Sequence, residues 1–113
     1  MLKILAFSVA LASLPAAPAL ALDGKPYEGT WTGQLSNGTP LSMTIPAGVA
    51  NGAAVTYSFN NQDQGPQTPT VQGNKIRLDN PSGTYIVIGP VKGNHLPYFW
   101  TNGTKKTNLV LIK

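Results

Sequence analysis

The chain has 113 residues, of which 42% are hydrophobic and only 11% are charged, and its formal net charge is +4. This length suits one small domain. The absence of cysteine excludes disulfides and a lipoprotein anchor, so stability must come from packing and backbone hydrogen bonds. The basic residues are scattered, which argues against nucleic acid as a partner.

The first predicted element is an export signal that spans Met1 to Ala21. Lys3 gives it a positive start, an apolar run from Ile4 to Leu14 follows, and residues 19–21 form a small-x-small cleavage site. Prolines interrupt the apolar run before it reaches the roughly 20 residues of a membrane-spanning helix. The sequence therefore predicts a signal helix, a single domain at residues 22–113 without a transmembrane span, and a periplasmic or secreted location.

The remaining chain is predicted to consist of short strands joined by tight turns. Asn-Gly pairs at positions 37, 51 and 102 suit turns that need positive φ. Apolar and polar residues alternate in Leu41–Ile45 and Val55–Phe59, as in strands with one buried face. Two continuous apolar runs, Tyr85–Ile88 and Leu109–Ile112, are candidates for strands covered on both faces. We expect an all-β fold, an antiparallel meander of seven or eight short strands closed as a barrel or folded as a sandwich, with the barrel favoured.

The first of these strands begins with Gly29-Thr30-Trp31, and Trp31 shares a face with Leu35 while Gly33 lies between them. This Gly-x-Trp opening resembles that of the calycins, the group of lipocalins and avidins. The resemblance implies an up-and-down barrel that binds small ligands in its mouth. It also implies an arginine of the closing strand stacked on the tryptophan, whereas the end of this chain offers lysines, Lys113 among them.

A broader similarity covers most of the chain after residue 21. It consists of Trp-x-Gly-x-Leu at 31–35, Val-x-Tyr-x-Phe at 55–59, Asn-x-x-Asp-Gln at 60–64, a late tryptophan strand and a closing leucine-rich strand. These features are similar to small exported proteobacterial proteins of unknown function and to β-domains that precede some secreted α/β-hydrolases. In the hydrolases this segment is non-catalytic, so the similarity implies an accessory or binding role.

Catalytic chemistry finds little support in the sequence. His95 is the one histidine, the four acidic residues are dispersed, and no Gly-x-Ser-x-Gly elbow occurs. No residues are spaced around His95 as metal ligands would be. We therefore expect no catalytic residues, no cofactor and no metal site, with a small hydrolase as the least favoured reading.

The predicted binding site combines a polar segment with an aromatic strand. Residues 60–69 are dense in amides that suit sugar hydroxyls or a peptide backbone, although a solvated loop is the simpler interpretation. In residues 96–100, alternation places Tyr98 and Trp100 on one face and Phe99 on the other, where rings either bind a partner or pack in the core. The candidate ligand-binding residues are Asn60, Asn61, Gln62, Asp63, Gln64, Tyr98 and Trp100.

These features together predict an exported, non-enzymatic β-domain that binds an envelope ligand, which is a glycan, a small molecule or a protein. The alternative is an inhibitor of a secreted hydrolase that plugs the active site with a loop. A third candidate surface is formed by Lys75, Arg77 and Lys92. It suits anionic glycans or lipid headgroups; alternatively, these residues protect an edge strand from pairing and increase solubility.

Overall fold

A computed structural model describes residues 22–80 and 82–113. The predicted export signal at residues 1–21 lies outside the described residues. Within the described ranges, no helix is long and apolar enough to cross a membrane. Two short 3-10 helices span Lys25–Tyr27 and Val49–Asn51. The strands are β1 (Gly29–Gln34), β2 (Pro40–Ile45), β3 (Val55–Phe59), β4 (Gln62–Gln67), β5 (Pro69–Gln72), β6 (Lys75–Asp79), β7 (Tyr85–Ile88), β8 (His95–Thr101) and β9 (Lys106–Ile112).

The strands form a single antiparallel sheet that curls into a nearly closed barrel, in the order β4-β3-β2-β1-β9-β8-β7-β6-β5. The prediction of an all-β barrel is confirmed. The two edge strands, β4 and β5, are consecutive in the chain and separated only by Thr68, so the chain itself spans the seam. The described strands number nine rather than seven or eight, because part of the segment interpreted as a loop pairs with β3 as β4.

Alternating side chains fill the interior of the barrel. β1 and β2 pair over six residues, with Trp31 opposite Met43 and Gly33 opposite Leu41. A Cβ on Gly33 would lie 2.8 Å from Leu111 Cδ2, so the missing side chain leaves room for this leucine in the core. The buried hydrophobic core comprises Tyr27, Trp31, Leu41, Met43, Ile45, Val49, Val55, Tyr57, Ile76, Leu78, Ile86, Ile88, Leu96, Tyr98 and Leu111.

One end of the barrel is closed by Tyr27 and Trp31. The 3-10 helix Lys25–Tyr27 places the Tyr27 ring across this end, where its hydroxyl donates to the backbone oxygen of Asn74 at 2.7 Å. The Trp31 indole nitrogen donates to the backbone oxygen of Tyr27 at 2.8 Å. Both rings are buried and both polar atoms are paired, so this end is sealed without leaving a polar group unsatisfied.

Lys113 covers Trp31 from the end of the last strand. Its Nζ lies 5.3 Å from the centroid of the Trp31 ring, which is within cation–π range. A Cβ on Gly29 would lie 2.6 Å from Lys113 Cε, so the glycine allows the lysine to pass over the strand to the indole. A cation does contact the tryptophan, although it is a lysine rather than the arginine that the calycin resemblance implies. The resemblance itself stays a prediction.

The prediction that residues 109–112 are covered on both faces is wrong. Leu111 is buried, but Val110 and Ile112 point outward and are 51% and 40% exposed. The outer face of β7 is better covered, because the Tyr85 ring packs against Phe99, with 6.3 Å between ring centroids. A continuous apolar run therefore marks a strand here but not the burial of both its faces.

The closed end tolerates no side chain at Gly89. A Cβ at this position would overlap the Tyr27 hydroxyl, and the backbone has φ +107. We expect Gly89→Ala to lower the free energy of unfolding by about 2–4 kcal/mol, since overpacking adds to backbone strain. Gly103→Ala is the control, because Gly103 has φ +94 with no neighbour within 4 Å of a Cβ. Urea unfolding measures both, and equal losses in the two variants would contradict the packing of Tyr27.

Candidate functional site

The end of the barrel opposite Tyr27 encloses a cavity of about 340 Å³, here called the mouth cavity. Its lining residues belong to β3, β4, β6, β7, β8 and β9, to the β6–β7 turn and to the position directly after β1. The volume lies in the range of small-molecule sites. The lining residues are Leu35, Tyr57, Phe59, Gln64, Gln67, Leu78, Asn80, Ser82, Thr84, Tyr85, Ile86, Tyr98, Trp100 and Thr107.

Two tyrosines form the floor of the mouth cavity. Tyr57 on β3 and Tyr98 on β8 approach across the lumen, and their hydroxyl oxygens are 2.9 Å apart in a hydrogen bond that either can donate. Their rings are stacked with centroids 6.5 Å apart. Residues one inward position deeper, such as Val55 and Leu96, are fully buried and do not line the cavity. The tyrosine pair therefore separates the filled core from the open mouth.

Gln67 brings an amide into the wall of the mouth cavity. The pairing of β3 with β4 shifts register between Thr56 and Ser58, and Gly65 has φ +82. The Gln67 amide nitrogen donates to the backbone oxygen of Gln64 at 3.3 Å and to that of Gly65 at 3.5 Å. Its carbonyl oxygen accepts no hydrogen bond from the described residues. Every fully buried side-chain polar atom among these residues does have a hydrogen-bond partner. This oxygen is therefore not fully buried, and Gln67 lines the cavity.

The mouth cavity carries no charge. Among the described residues, every side chain that lines it is neutral at pH 7. The nearest ion pair, Arg77 with Asp79, lies on the outer face of β6, where the nitrogen and oxygen are 2.9 Å apart. The Arg77 guanidinium also lies 3.8 Å from the centroid of the Tyr85 ring. Arg77 is thus engaged outside the barrel rather than in the cavity.

Burial raises the pKa of both floor tyrosines above the ordinary value of 10.0. For Tyr57, loss of solvation is the main cause, and the hydrogen bond with Tyr98 offsets part of the rise in pKa. For Tyr98, loss of solvation again dominates, and the neighbouring Tyr57 raises the pKa further. Both phenols therefore keep their protons throughout the neutral pH range.

The structure brings together three of the seven predicted ligand-binding residues. Gln64, Tyr98 and Trp100 line the mouth cavity. The other four do not line it and occupy the β3–β4 hairpin, where they are Asn60, Asn61, Gln62 and Asp63.

The segment 60–69 is mostly strand rather than loop. Asn60 and Asn61 adopt φ 54 and 64 and close the hairpin in two residues, so no long loop is needed. The Asp63 carboxylate accepts a hydrogen bond from the Gly65 backbone at 2.8 Å, which serves the local fold. The amide-rich composition predicted a loop. Asparagine also tolerates the left-handed conformation of a tight turn, so the same composition fits a short hairpin.

Sequence reasoning missed Tyr57, Phe59 and Gln67 as parts of the site. The two aromatics follow the inward alternation of β3 and were interpreted as core. Phe59 is the last inward residue of β3 and reaches the open rim. A signal was present in the two inward tyrosines, because a buried hydroxyl needs a hydrogen-bond partner that a purely apolar core does not offer.

The other side chains with chemical potential lie away from the mouth cavity. His95 is exposed at the start of β8, near the closed end, and its backbone pairs with Lys92. Lys75 and Arg77 share the outer face of β6. In the part of the chain that the structure describes, no group of three His, Cys, Asp or Glu residues could hold a metal ion.

An apolar groove also runs along the outer surface of β7, β8 and β9. It is lined by Val87, Pro97, Phe99 and Val110, with Lys75 at one side. This groove is more open to solvent than the mouth cavity.

No family model matches the sequence, and neither a curated protein nor a solved structure matches the chain.

The raised pKa values of the floor tyrosines predict a loss of stability in alkaline solution. An unfolded tyrosine releases its proton near pH 10, whereas Tyr57 and Tyr98 hold theirs to higher pH. The folded state then binds more protons, so above pH 10 the free energy of unfolding falls, by up to about 1.4 kcal/mol per pH unit for each phenol. Below pH 10 this contribution is fully present.

Urea unfolding between pH 9 and pH 11 measures this effect. The control is the double variant Tyr57→Phe, Tyr98→Phe, which keeps every lysine and therefore shares all other alkaline titrations. Its free energy of unfolding should fall less steeply with pH than that of the wild type. Parallel curves for the two proteins would contradict the burial of the phenols.

Proposed function

We propose that the protein is an exported, non-enzymatic binding domain whose mouth cavity holds a small organic molecule. The observation that carries this proposal is the cavity of about 340 Å³, bordered by a few amides and hydroxyls and by the inward aromatic rings of Tyr57, Phe59, Tyr98 and Trp100. Small-molecule sites have this composition, with apolar walls that supply affinity and sparse polar groups that fix orientation. Export rests on the predicted signal at residues 1–21.

The geometry of the mouth favours a compact molecule over a polymer. The cavity ends at the tyrosine floor, so a ligand enters from one end and cannot pass through the barrel. Trp100 and Phe59 stand above the floor on β8 and β3, where aromatic faces can stack on a flat or apolar ligand. Both sit on strands of one continuous sheet, which holds the walls in place before a ligand binds.

Among the ligand classes that the sequence leaves open, a small molecule fits this site best. A long glycan or a protein surface would extend beyond a cavity that ends at the tyrosine floor. The hydrolase-inhibitor alternative relied on a long loop at residues 60–69, and this segment forms β4 after a two-residue turn.

A neutral dye whose emission depends on polarity, 6-propionyl-2-dimethylaminonaphthalene, tests the proposal. We expect its emission to shift to the blue on binding to the full chain, because the aromatic and aliphatic walls are less polar than water. Thr107→Trp should weaken this binding at least tenfold, since Thr107 lines the cavity beside Trp100 and a larger ring fills it.

The matched control is Thr70→Trp, which adds the same ring to the exposed outer face of β5. This variant should bind the dye as the wild type does. Equal weakening in both variants, or no blue shift with the wild type, would contradict a ligand site in the mouth cavity.

A further inference from the structure

The two tyrosines at the floor of the mouth cavity have one hydroxyl proton that their shared hydrogen bond does not use. Tyr57 and Tyr98 each carry one O–H donor, and their shared hydrogen bond of 2.9 Å employs only one of the two. Neither hydroxyl makes a second hydrogen bond to any described residue. The remaining O–H is therefore free to donate, and both tyrosines line the cavity.

This unused donor is well protected from bulk water. Tyr57 is 8% exposed and Tyr98 is 3% exposed, and both line the mouth cavity. A phenol O–H in such a place gains strongly from an acceptor, because few water molecules can compete for it. Burial keeps the pKa of both hydroxyls above the ordinary value, so the donor is present at neutral pH.

The donor can be offered from either side of the floor. The hydrogen bond between the hydroxyls can form with either oxygen as donor, so the unused proton resides on Tyr57 in one arrangement and on Tyr98 in the other. An acceptor can therefore sit above either ring. The Gln67 carbonyl oxygen adds an acceptor in the wall, since its amide nitrogen is already bonded to backbone oxygens.

The walls oppose a charged ligand. Across the described part of the lining no side chain is ionised at neutral pH, so an entering ion would lose water without gaining a counter-charge. Such desolvation is strongly unfavourable. Neutral aromatic and aliphatic side chains instead suit a flat apolar body.

We propose that the mouth cavity selects an uncharged ligand with a flat apolar body and an oxygen acceptor, which takes the spare proton of the Tyr57–Tyr98 pair. This inference rests on the proposed function and adds the ligand class to it. The tyrosine pair is the specificity-determining element, and the aromatic walls supply the affinity.

Three naphthalenes of similar size test this selection on the full chain. 2-Acetylnaphthalene carries a carbonyl acceptor, 2-ethylnaphthalene has none, and 2-naphthoate is an anion. Calorimetry gives each Kd for the wild type and for the double variant Tyr57→Phe, Tyr98→Phe. The ratio of the Kd of the ketone to the Kd of the hydrocarbon is then compared between the wild type and the double variant. The difference in hydrophobicity between the two compounds affects this ratio equally in both proteins and therefore cancels.

We expect the preference for the ketone to fall roughly three- to tenfold in the double variant, which is the range for one lost hydrogen bond. The single variants Tyr57→Phe and Tyr98→Phe each retain one hydroxyl, which then donates to the ligand, so they should keep the preference. The infrared stretch of a 13C-labelled ketone carbonyl should lie at lower frequency in the wild type than in the double variant. Near-ultraviolet circular dichroism of each variant verifies the fold.

The outcomes separate this inference from the proposed function. Binding of ketone and hydrocarbon with the same ratio and the same carbonyl frequency in both proteins would overturn the role of the tyrosine pair and leave the site intact. Binding of 2-naphthoate as tight as that of the ketone would overturn the neutral ligand class. Failure of both neutral compounds to bind the wild type would overturn the mouth cavity as a ligand site and this inference with it.

Discussion

The hydrogen bond between Tyr57 and Tyr98 determines how the interior of this barrel is used. The two rings come from β3 and β8, which β2, β1 and β9 separate in the sheet, so the bond spans the lumen rather than neighbouring strands. Below the pair, apolar side chains pack without solvent; above it, the same inward positions line a cavity. At the level of the two hydroxyl groups, the interior changes from closely packed core to open cavity.

The end of the barrel opposite the mouth cavity is closed by packing. Trp31 and Tyr27 are buried there with their polar atoms paired, and Lys113 covers the indole. No disulfide can assist, since the chain has no cysteine. A domain this small has little stability to spare, so it depends on the packing of this half, while the other half contains the mouth cavity.

The candidate site was only partly predictable from the sequence. Alternation placed Tyr98 and Trp100 on one face correctly, because the side-chain period of a strand is a local property. Gln67 could not be found in this way, because its position depends on the register shift that bends β4. Asn60 and Asn61 satisfied the composition of a binding loop but serve a turn, and composition does not distinguish the two roles.

The sequence by itself determined the all-β fold, the turns and the inward or outward direction of most strand residues, because these follow from period-two alternation and turn chemistry over a few residues. Only the tertiary structure decided which inward residues belong to the core and which line the mouth. That distinction depends on height along the barrel axis, which is set by the register of strands far apart in the chain. Tyr57 and Tyr98 are 41 residues apart, and no local pattern records that their hydroxyls meet.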